Sequence, residues 1–228
     1  TQVKDAKVKM LADPFMNDET AKWAKDMGVE AVTKDYKEIL ADPEIDAVLI
    51  CSSTDTHSPI SVEAIKAGKH VFCEKPFALK PAEVRDLFML AREKGLFVME
   101  MQKCVFLPVV QELKRRIQAG EFGRITMADF SSSFDAGYNS WMFDASKGGG
   151  PLFSNASYSL QLMQYLFDSF VTEQTGLCTR ADSPVENQFA AVMRIFVIPH
   201  FKEIPGKLQT LLETLVGMFD NLAKSNSP

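Results

Sequence analysis

Short apolar runs alternate with amphipathic runs along the first half of this chain. The apolar runs are typical of strands, and the amphipathic runs are typical of helices with one buried face. The predicted strands cover residues 7–12, 46–51, 69–73 and 96–100, and the predicted helices cover 17–27, 58–68 and 81–95. Strands separated by helices indicate right-handed βαβ units, so the pattern predicts an α/β fold with a doubly wound parallel sheet.

Local signals mark the starts of two predicted helices. Ser58 before Pro59 predicts an N-cap followed by proline at the first helical position. Asp35 followed by Glu38 predicts a capping box for a short helix that ends before Pro43.

The pattern changes in the second half of the chain. The predicted elements are, in order, a helix from Pro108 to Gly120, a strand at 125–134, a helix at 154–167, a strand at 186–197 and a helix at 207–224. The strand at 125–134 alternates apolar and polar positions, as an antiparallel strand with one solvated face does. We therefore expect a domain boundary near Gly120–Gly123, with a parallel α/β domain at 1–121 and an α+β domain with a mainly antiparallel sheet at 122–228.

Composition and charge exclude several classes of function. The 228 residues carry a net charge of −5, and an acidic chain without a basic run is a poor candidate for binding nucleic acid or an anionic membrane. Apolar stretches fall short of the roughly 20 residues that a membrane-spanning helix needs. The four cysteines lie far apart without a CxxC pair, which predicts reduced thiols in a cytoplasmic protein and no metal site.

Polar residues follow each predicted parallel strand. Ligands of such sheets bind beyond the carboxyl ends of the strands, so we expect these residues to line one crevice. The residues at these strand ends are Asp13, then Ser52, Ser53 and Thr54, then Glu74, Lys75 and Pro76, and then Glu100, Met101 and Gln102, with His57 just beyond the second group. Pro76 and Met101 are the apolar members of this set.

The residues around this crevice resemble a known family. The segment DAVLICSSTDTHSPISVEAIKAGKHVFCEKPFAL, residues 46–79, resembles the Gfo/Idh/MocA oxidoreductases, which are NAD(P)-dependent enzymes that act on sugars, inositols and diols. The resemblance continues through VMEMQKCVFLPVVQELKRRIQAGEFGRI and WMFDASKGGGPLFSNASYSLQLMQYLF, and it covers about residues 7–170. These motifs favour the branch that contains dihydrodiol dehydrogenase and glucose-fructose oxidoreductase.

The resemblance implies a Rossmann-type domain followed by a substrate and oligomerisation domain. It implies hydride transfer, with Lys75 beside the nicotinamide and the substrate hydroxyl, and a cis peptide bond before Pro76. The family places an Asp and a His in the helix after the triple glycine, where this chain has Ser154 and Tyr158. Tyr158 is therefore expected to be a general acid whose phenol pKa is lowered by Lys75, and the alternative is a core tyrosine.

The same resemblance assigns the cofactor side of the crevice. Asp13 resembles the acid that binds the adenosine ribose, and the alternative is a turn at a helix entry. The stretch from Pro14 to Ala21 has no Arg or Lys to neutralise a 2′-phosphate before Lys22, which favours NAD over NADP. The remaining residues expected to line the cofactor crevice are Ser52, Ser53, Thr54, His57, Glu74, Lys75 and Gln102. For His57 the alternative is a turn histidine that caps the following helix.

The family's glycine-rich GxGxxG turn, which receives the pyrophosphate, does not occur in this sequence, and the second domain is shorter than expected. We expect that segments of the family fold are omitted from this chain, and the alternative is a decayed or fragmentary member of the family. The expected partners are a sugar, polyol or diol substrate and further copies of the chain in a dimer or tetramer. The alternative functions are a non-catalytic nucleotide- or sugar-binding regulator and a structural fragment that only dimerises.

Overall fold

The computed structural model describes residues 6–131, 141–179, 184–185 and 188–197. Strands and helices alternate through the first part of the chain, and a helix packs on an antiparallel pair of strands in the second. In chain order the elements are β1 Met10–Ala12, α1 Asp18–Asp26, β2 Ala31–Thr33, α2 Tyr36–Ala41, β3 Ala47–Ile50, α3 Thr54–Lys66, β4 His70–Cys73, α4 Pro81–Glu93, β5 Val98–Glu100, α5 Pro108–Gln118, α6 Pro151–Phe167, β6 Ser169–Thr179 and β7 Gln188–Val197. Among the helices so described, none is long and apolar enough to span a bilayer.

The first five strands are all parallel. Strands β1 and β2 form one pair, and β3, β4 and β5 form a second sheet in that order. This arrangement confirms the predicted parallel α/β architecture. It also brings the carboxyl ends of β3, β4 and β5 to one edge, where the polar residues identified above begin.

The main core lies between the β3–β5 sheet and the helices α3 and α4. Ile65 of α3, Val71 of β4 and Leu87 of α4 each have 0% of their surface exposed. A buried Leu or Ile side chain of this kind contributes roughly 1.5–3 kcal/mol relative to full exposure. This packing fixes β4, and therefore the direction in which the chain leaves it at Cys73.

The start of α3 corrects one prediction. Ser58 was expected to cap the helix, but α3 begins at Thr54 after Ser53, and Pro59 lies inside it. The side chains of Thr54 and His57 are 1% and 2% exposed, so tertiary burial continues the helix through the Ser-Pro signal. Pro59 is the sixth of the 13 residues of α3, so it removes one backbone donor from inside the helix.

The predicted capping box at α2 is confirmed for Asp35 and wrong for Glu38. The Asp35 side chain accepts a hydrogen bond from the Lys37 amide, as an N-cap residue does. Glu38 does not complete a capping box, because its carboxylate accepts from the Thr33 hydroxyl at 2.7 Å. That hydroxyl in turn accepts from the Asp35 amide at 3.1 Å.

The second part of the chain contains α6 and the antiparallel pair β6–β7. Ala156 and Leu160 of α6 pack against Val171, Phe189 and Met193 of the two strands. The predicted strand at 186–197 is found as β7, whereas β6 was not predicted and α6 begins earlier than expected, at Pro151.

The predicted strand at 125–134 is wrong over its described part. Residues 125–131 have no strand partner among the described residues, and Met127 is 85% exposed. Alternating polarity alone does not form a strand when no ladder is available to satisfy the backbone. Residues 132–134 and the predicted helix at 207–224 lie outside the described residues. The domain boundary near Gly120–Gly123 stays a prediction.

Candidate active site

Lys75 lies at the exit of β4, directly beyond the buried sheet. The Glu74 amide donates to the Ile50 carbonyl at 2.9 Å, so the ladder between β3 and β4 holds the chain up to the residue before Lys75. The Lys75–Pro76 peptide bond is cis, as the resemblance implied. The Lys75 ammonium donates to the Ser154 carbonyl at 2.5 Å and lies 4.4 Å from the centre of the Tyr158 ring. The structure therefore brings Lys75 together with both positions singled out on α6.

Helix geometry explains why Ser154 and Tyr158 reach Lys75 together. Residues four apart lie on one face of an α-helix, one turn from each other. The preceding triple glycine lets α6 approach the segment before it: a Cβ atom on Gly149 would lie 2.4 Å from the Met142 carbonyl oxygen. The amide of Gly150 donates to that same oxygen at 2.7 Å. Glycine is thus required at position 149 to set the start of α6 against the 142–144 turn.

Burial lowers the pKa of the Lys75 amine below its ordinary value. The Glu74 carboxylate opposes this shift, and the Lys103 ammonium adds to it. The backbone amide of Lys75 also donates to the Glu74 carboxylate at 3.3 Å, so Glu74 helps to fix the orientation of the Lys75 backbone. An amine with a lowered pKa can take up and release a proton closer to neutral pH.

The prediction that Lys75 lowers the phenol pKa of Tyr158 is wrong. Burial raises the pKa of Tyr158, and the cation that opposes this most is Lys103, through its charge and a side-chain hydrogen bond. Lys75 instead faces the ring, where its charge interacts with the π electrons. Lys103, whose ammonium lies 6.0 Å from the ring centre, was missed by sequence reasoning although it follows the predicted end of β5 by only a few residues.

Glu100 was predicted to lie at a strand end, but sequence analysis assigned no function to it. Its carboxylate accepts from the Phe77 amide at 2.8 Å and from the Gln102 side-chain amide at 3.0 Å. Burial raises the pKa of Glu100 above its ordinary value. Glu100 therefore links the end of β5 to the chain that follows Lys75.

Two buried polar side chains on the cofactor side of the crevice have groups that a dinucleotide could satisfy. The hydroxyl of Thr54 and the side-chain carbonyl oxygen of Gln102 are buried just beyond the ends of β3 and β5. Neither atom has a hydrogen-bond partner within the described part of the chain. Buried polar atoms without partners are costly, so these two favour a bound polar group. The residues present therefore fit the amide and hydroxyl groups of a nicotinamide nucleotide.

The other residues predicted to contact the cofactor each make different local contacts within the protein. The Ser52 hydroxyl accepts from the Thr56 hydroxyl at 2.6 Å, and Ser53 stands at the N-cap of α3. One Asp13 carboxylate oxygen accepts from the Phe15 amide at 2.8 Å, as in the alternative of a helix-entry turn. His57 is 2% exposed, and both ring nitrogens face backbone carbonyls, which favours a bracing role. The cofactor roles of these residues stay predictions.

Comparison with known relatives follows the same division of the chain. The family model described as an oxidoreductase family with an NAD-binding Rossmann fold matches residues 2–102, and the GFO/IDH/MocA C-terminal domain model matches residues 110–195. The scyllo-inositol 2-dehydrogenase (NAD(+)) of Bacillus subtilis is 28% identical over 193 residues, which are 84% of this chain and 55% of that protein. The trans-1,2-dihydrobenzene-1,2-diol dehydrogenase of Mus musculus is 29% identical over 145 residues, which are 64% of this chain and 44% of that protein.

A solved structure shows the same fold. Levoglucosan dehydrogenase in complex with NADH and levoglucosan matches with a TM-score of 0.69 at 26% identity, covering 82% of this chain and 54% of that chain. The chain spans about half the length of the curated relatives it matches. With both domain models matched in order and the fold shared, the chain belongs to the Gfo/Idh/MocA family of oxidoreductases, whose amino-terminal domain is an NAD-binding Rossmann fold.

Proposed function

We propose that the protein transfers a hydride between NAD and a CH–OH group of a sugar, polyol or diol. The observation that carries this proposal is the Lys75 ammonium, held 4.4 Å from the centre of the Tyr158 ring at the carboxyl end of β4. The named activities of the inositol and dihydrodiol dehydrogenases support the substrate class. When bound, NAD would accept the hydride as the alcohol becomes a carbonyl.

Lys75 has the chemistry to handle the hydroxyl proton. An ammonium has three donors, and one is used by the Ser154 carbonyl, which leaves two for a substrate oxygen. A donor aimed at that oxygen stabilises the alkoxide character that develops during hydride transfer. Because burial lowers the pKa of Lys75, its neutral form is accessible for accepting the proton.

Tyr158 acts as the second proton-handling group in this proposal. Burial raises the pKa of its phenol, so the hydroxyl keeps its proton at neutral pH and can donate it to the substrate oxygen in the reducing direction, from carbonyl to alcohol. Lys103 favours the phenolate form through charge and a hydrogen bond, and so assists release of that proton. The pair Tyr158 and Lys103 thus takes the place of the Asp and His that the family carries in this helix.

One observation favours the alternative of a non-catalytic regulator that binds a nucleotide or sugar. The Ser154 hydroxyl donates to the Gly150 carbonyl at 2.7 Å, inside its own helix. A side chain occupied in this way does not relay a proton as the family's aspartate would. A regulator of this kind would bind NAD without turnover.

Measuring NADH formation at 340 nm against inositols, sugars and vicinal diols tests both functions. The decisive variant is Lys75→Met, and the matched control is Lys80→Met at an exposed position on the same connection. Loss of a positioned proton-transfer group costs about 10²–10⁴-fold in rate. Activity that falls by this much in Lys75→Met and persists in Lys80→Met supports the oxidoreductase. Unchanged turnover in Lys75→Met refutes it, and NADH binding without turnover in the unaltered protein supports the regulator.

We also infer NAD as the cofactor in preference to NADP, a homo-oligomer, and a cytoplasmic location. The absence of Arg and Lys between Pro14 and Ala21 supports NAD. Leu177 and Val192 are 82% and 74% exposed on the face of β6–β7 that points away from α6, which supports association between copies. Four free thiols support a reducing compartment. Light scattering and NAD against NADP titrations test the first two inferences.

A further inference from the structure

The segment that carries Lys75 is held from both sides. On its amino-terminal side the Glu74 amide is bonded to the Ile50 carbonyl, as part of the parallel ladder. On its carboxyl-terminal side the ladder has ended, and Pro76 has no amide hydrogen to donate. The Pro76 carbonyl is then the one backbone hydrogen-bonding group that Pro76 offers. What binds it decides where the chain after Lys75 is fixed.

His57 binds that carbonyl. Its Nδ1 lies 2.8 Å from the Pro76 oxygen, and its Nε2 lies 2.9 Å from the Ser52 oxygen in the turn after β3. The ring is 2% exposed, and the neighbouring Phe77 is 4% exposed, so water does not compete for these bonds. A neutral imidazole carries a single N–H, and with that hydrogen on Nδ1 the ring donates to the Pro76 carbonyl. His57 then ties the exit of β4 to α3, the helix that carries it.

The amide side of the same peptide unit is bound by a different strand. The Phe77 amide donates to the Glu100 carboxylate at 2.8 Å, and Glu100 is the last residue of β5. Two adjacent residues after Lys75 are thus held by side chains, one from α3 and one from β5. No part of this arrangement needs His57 to touch a cofactor.

We propose that His57 is a positioning residue: its Nδ1 holds the Pro76 carbonyl and so keeps the Lys75 ammonium between the Ser154 carbonyl and the Tyr158 ring. This role rests on the proposed function of Lys75. It differs from the cofactor contact predicted for His57, because the ring acts through the backbone beside Lys75. A shift of about 1 Å in a reacting group can cost on the order of 10²-fold in rate.

Two substitutions separate the two ring nitrogens. The amide of Asn can occupy the position of Nδ1, so His57→Asn keeps a donor for Pro76. The amide of Gln reaches the position of Nε2, so His57→Gln places a donor beside the Ser52 carbonyl and loses the bond to Pro76. The control is His70→Asn, since His70 accepts from the Phe97 amide at the other end of β4. All variants are first compared by thermal unfolding, which shows that they fold.

Steady-state kinetics form the first readout. We expect His57→Gln to lower kcat by about 10²-fold with the KM for NAD unchanged, while His57→Asn and His70→Asn stay within about 10-fold of the unaltered protein. If His57→Asn falls as far as His57→Gln, or neither falls, the proposal is overturned.

The second readout does not depend on activity. NMR of protein labelled with [13Cε]lysine, with the Lys75 signal assigned by its loss in Lys75→Arg, follows the titration of this amine. We expect the Lys75 titration to move upward in pH in His57→Gln, because the amine becomes more hydrated, and to stay in place in His57→Asn. An unmoved titration in His57→Gln refutes the positioning role. Absence of turnover in the unaltered protein with this pattern intact would refute only the proposed function.

Discussion

The Lys75 ammonium lies over the face of the Tyr158 ring, 4.4 Å from its centre, and not against its hydroxyl. A cation in this position gains roughly 0.5–2 kcal/mol from the ring. The cation that most favours the phenolate form of Tyr158 is Lys103, so the amine and the phenol are influenced by different partners. Each of the two groups that we propose to handle protons can therefore be removed without removing the other.

This separation predicts a selective effect of Tyr158→Phe. The phenyl ring keeps the face that Lys75 contacts, while the hydroxyl, whose phenolate form is favoured by the charge of Lys103, is lost. We expect turnover to fall by about 10²-fold and the Lys75 titration to stay in place. Lys103→Met should lower turnover less, since the hydroxyl remains. Enzyme kinetics and lysine NMR check both statements, and equal turnover in Tyr158→Phe and the unaltered protein would remove Tyr158 from the mechanism.

Glu100 predicts a pH dependence of stability. Burial raises its pKa in the folded protein above the ordinary value of 4.5, so the folded form binds this proton more tightly than the unfolded form. The free energy of unfolding should therefore fall as the pH rises from about 4.5 through the raised pKa, and it recovers none of this loss above that pKa. Glu100→Gln cannot ionise and keeps an acceptor for the Phe77 amide.

Urea unfolding at several pH values measures this effect. We expect the stability of Glu100→Gln relative to the unaltered protein to improve as the pH rises through that window. Glu93→Gln, at an exposed position on α4, is the control and should show no such trend. A constant difference between Glu100→Gln and the unaltered protein at every pH would contradict the prediction.

The triple glycine predicts a contrast between two alanine substitutions. In Gly149→Ala the new Cβ atom would lie 2.4 Å from the Met142 carbonyl oxygen, so the backbone must move. In Gly95→Ala the space is open and the cost comes from the positive φ of 67° alone, about 1 kcal/mol. We expect Gly149→Ala to lose more stability in urea unfolding and to reduce turnover by shifting α6. Equal losses of stability in the two variants would contradict this prediction, because they would show that the contact between position 149 and the Met142 carbonyl relaxes at little cost.

Local sequence pattern predicted the parts of the site that follow from topology. Parallel strands end at one edge, so Lys75, Glu100 and Gln102 could be placed near one another before any coordinates. The pairing of Lys75 with Tyr158 came from the family resemblance, because sequence periodicity does not align a helix with a strand end. The start of α3 and the strand β6 were missed, since both depend on packing partners far away in the chain. The pKa direction at Tyr158 was missed for the same reason: it depends on burial and on Lys103.

The parallel strands form two separate hydrogen-bonded sets within the described residues, since β1 and β2 pair only with each other while β3, β4 and β5 form the other sheet. Each ladder position in the small pair is protected by a single neighbouring strand, whereas β4 is protected on both sides. Local opening of β1–β2 therefore exposes amide protons without disturbing the strands beside Lys75. Solvent deuterium should reach the Leu11 amide long before it reaches the Val71 amide, so that the segment bearing Lys75 stays ordered while β1 and β2 open and close.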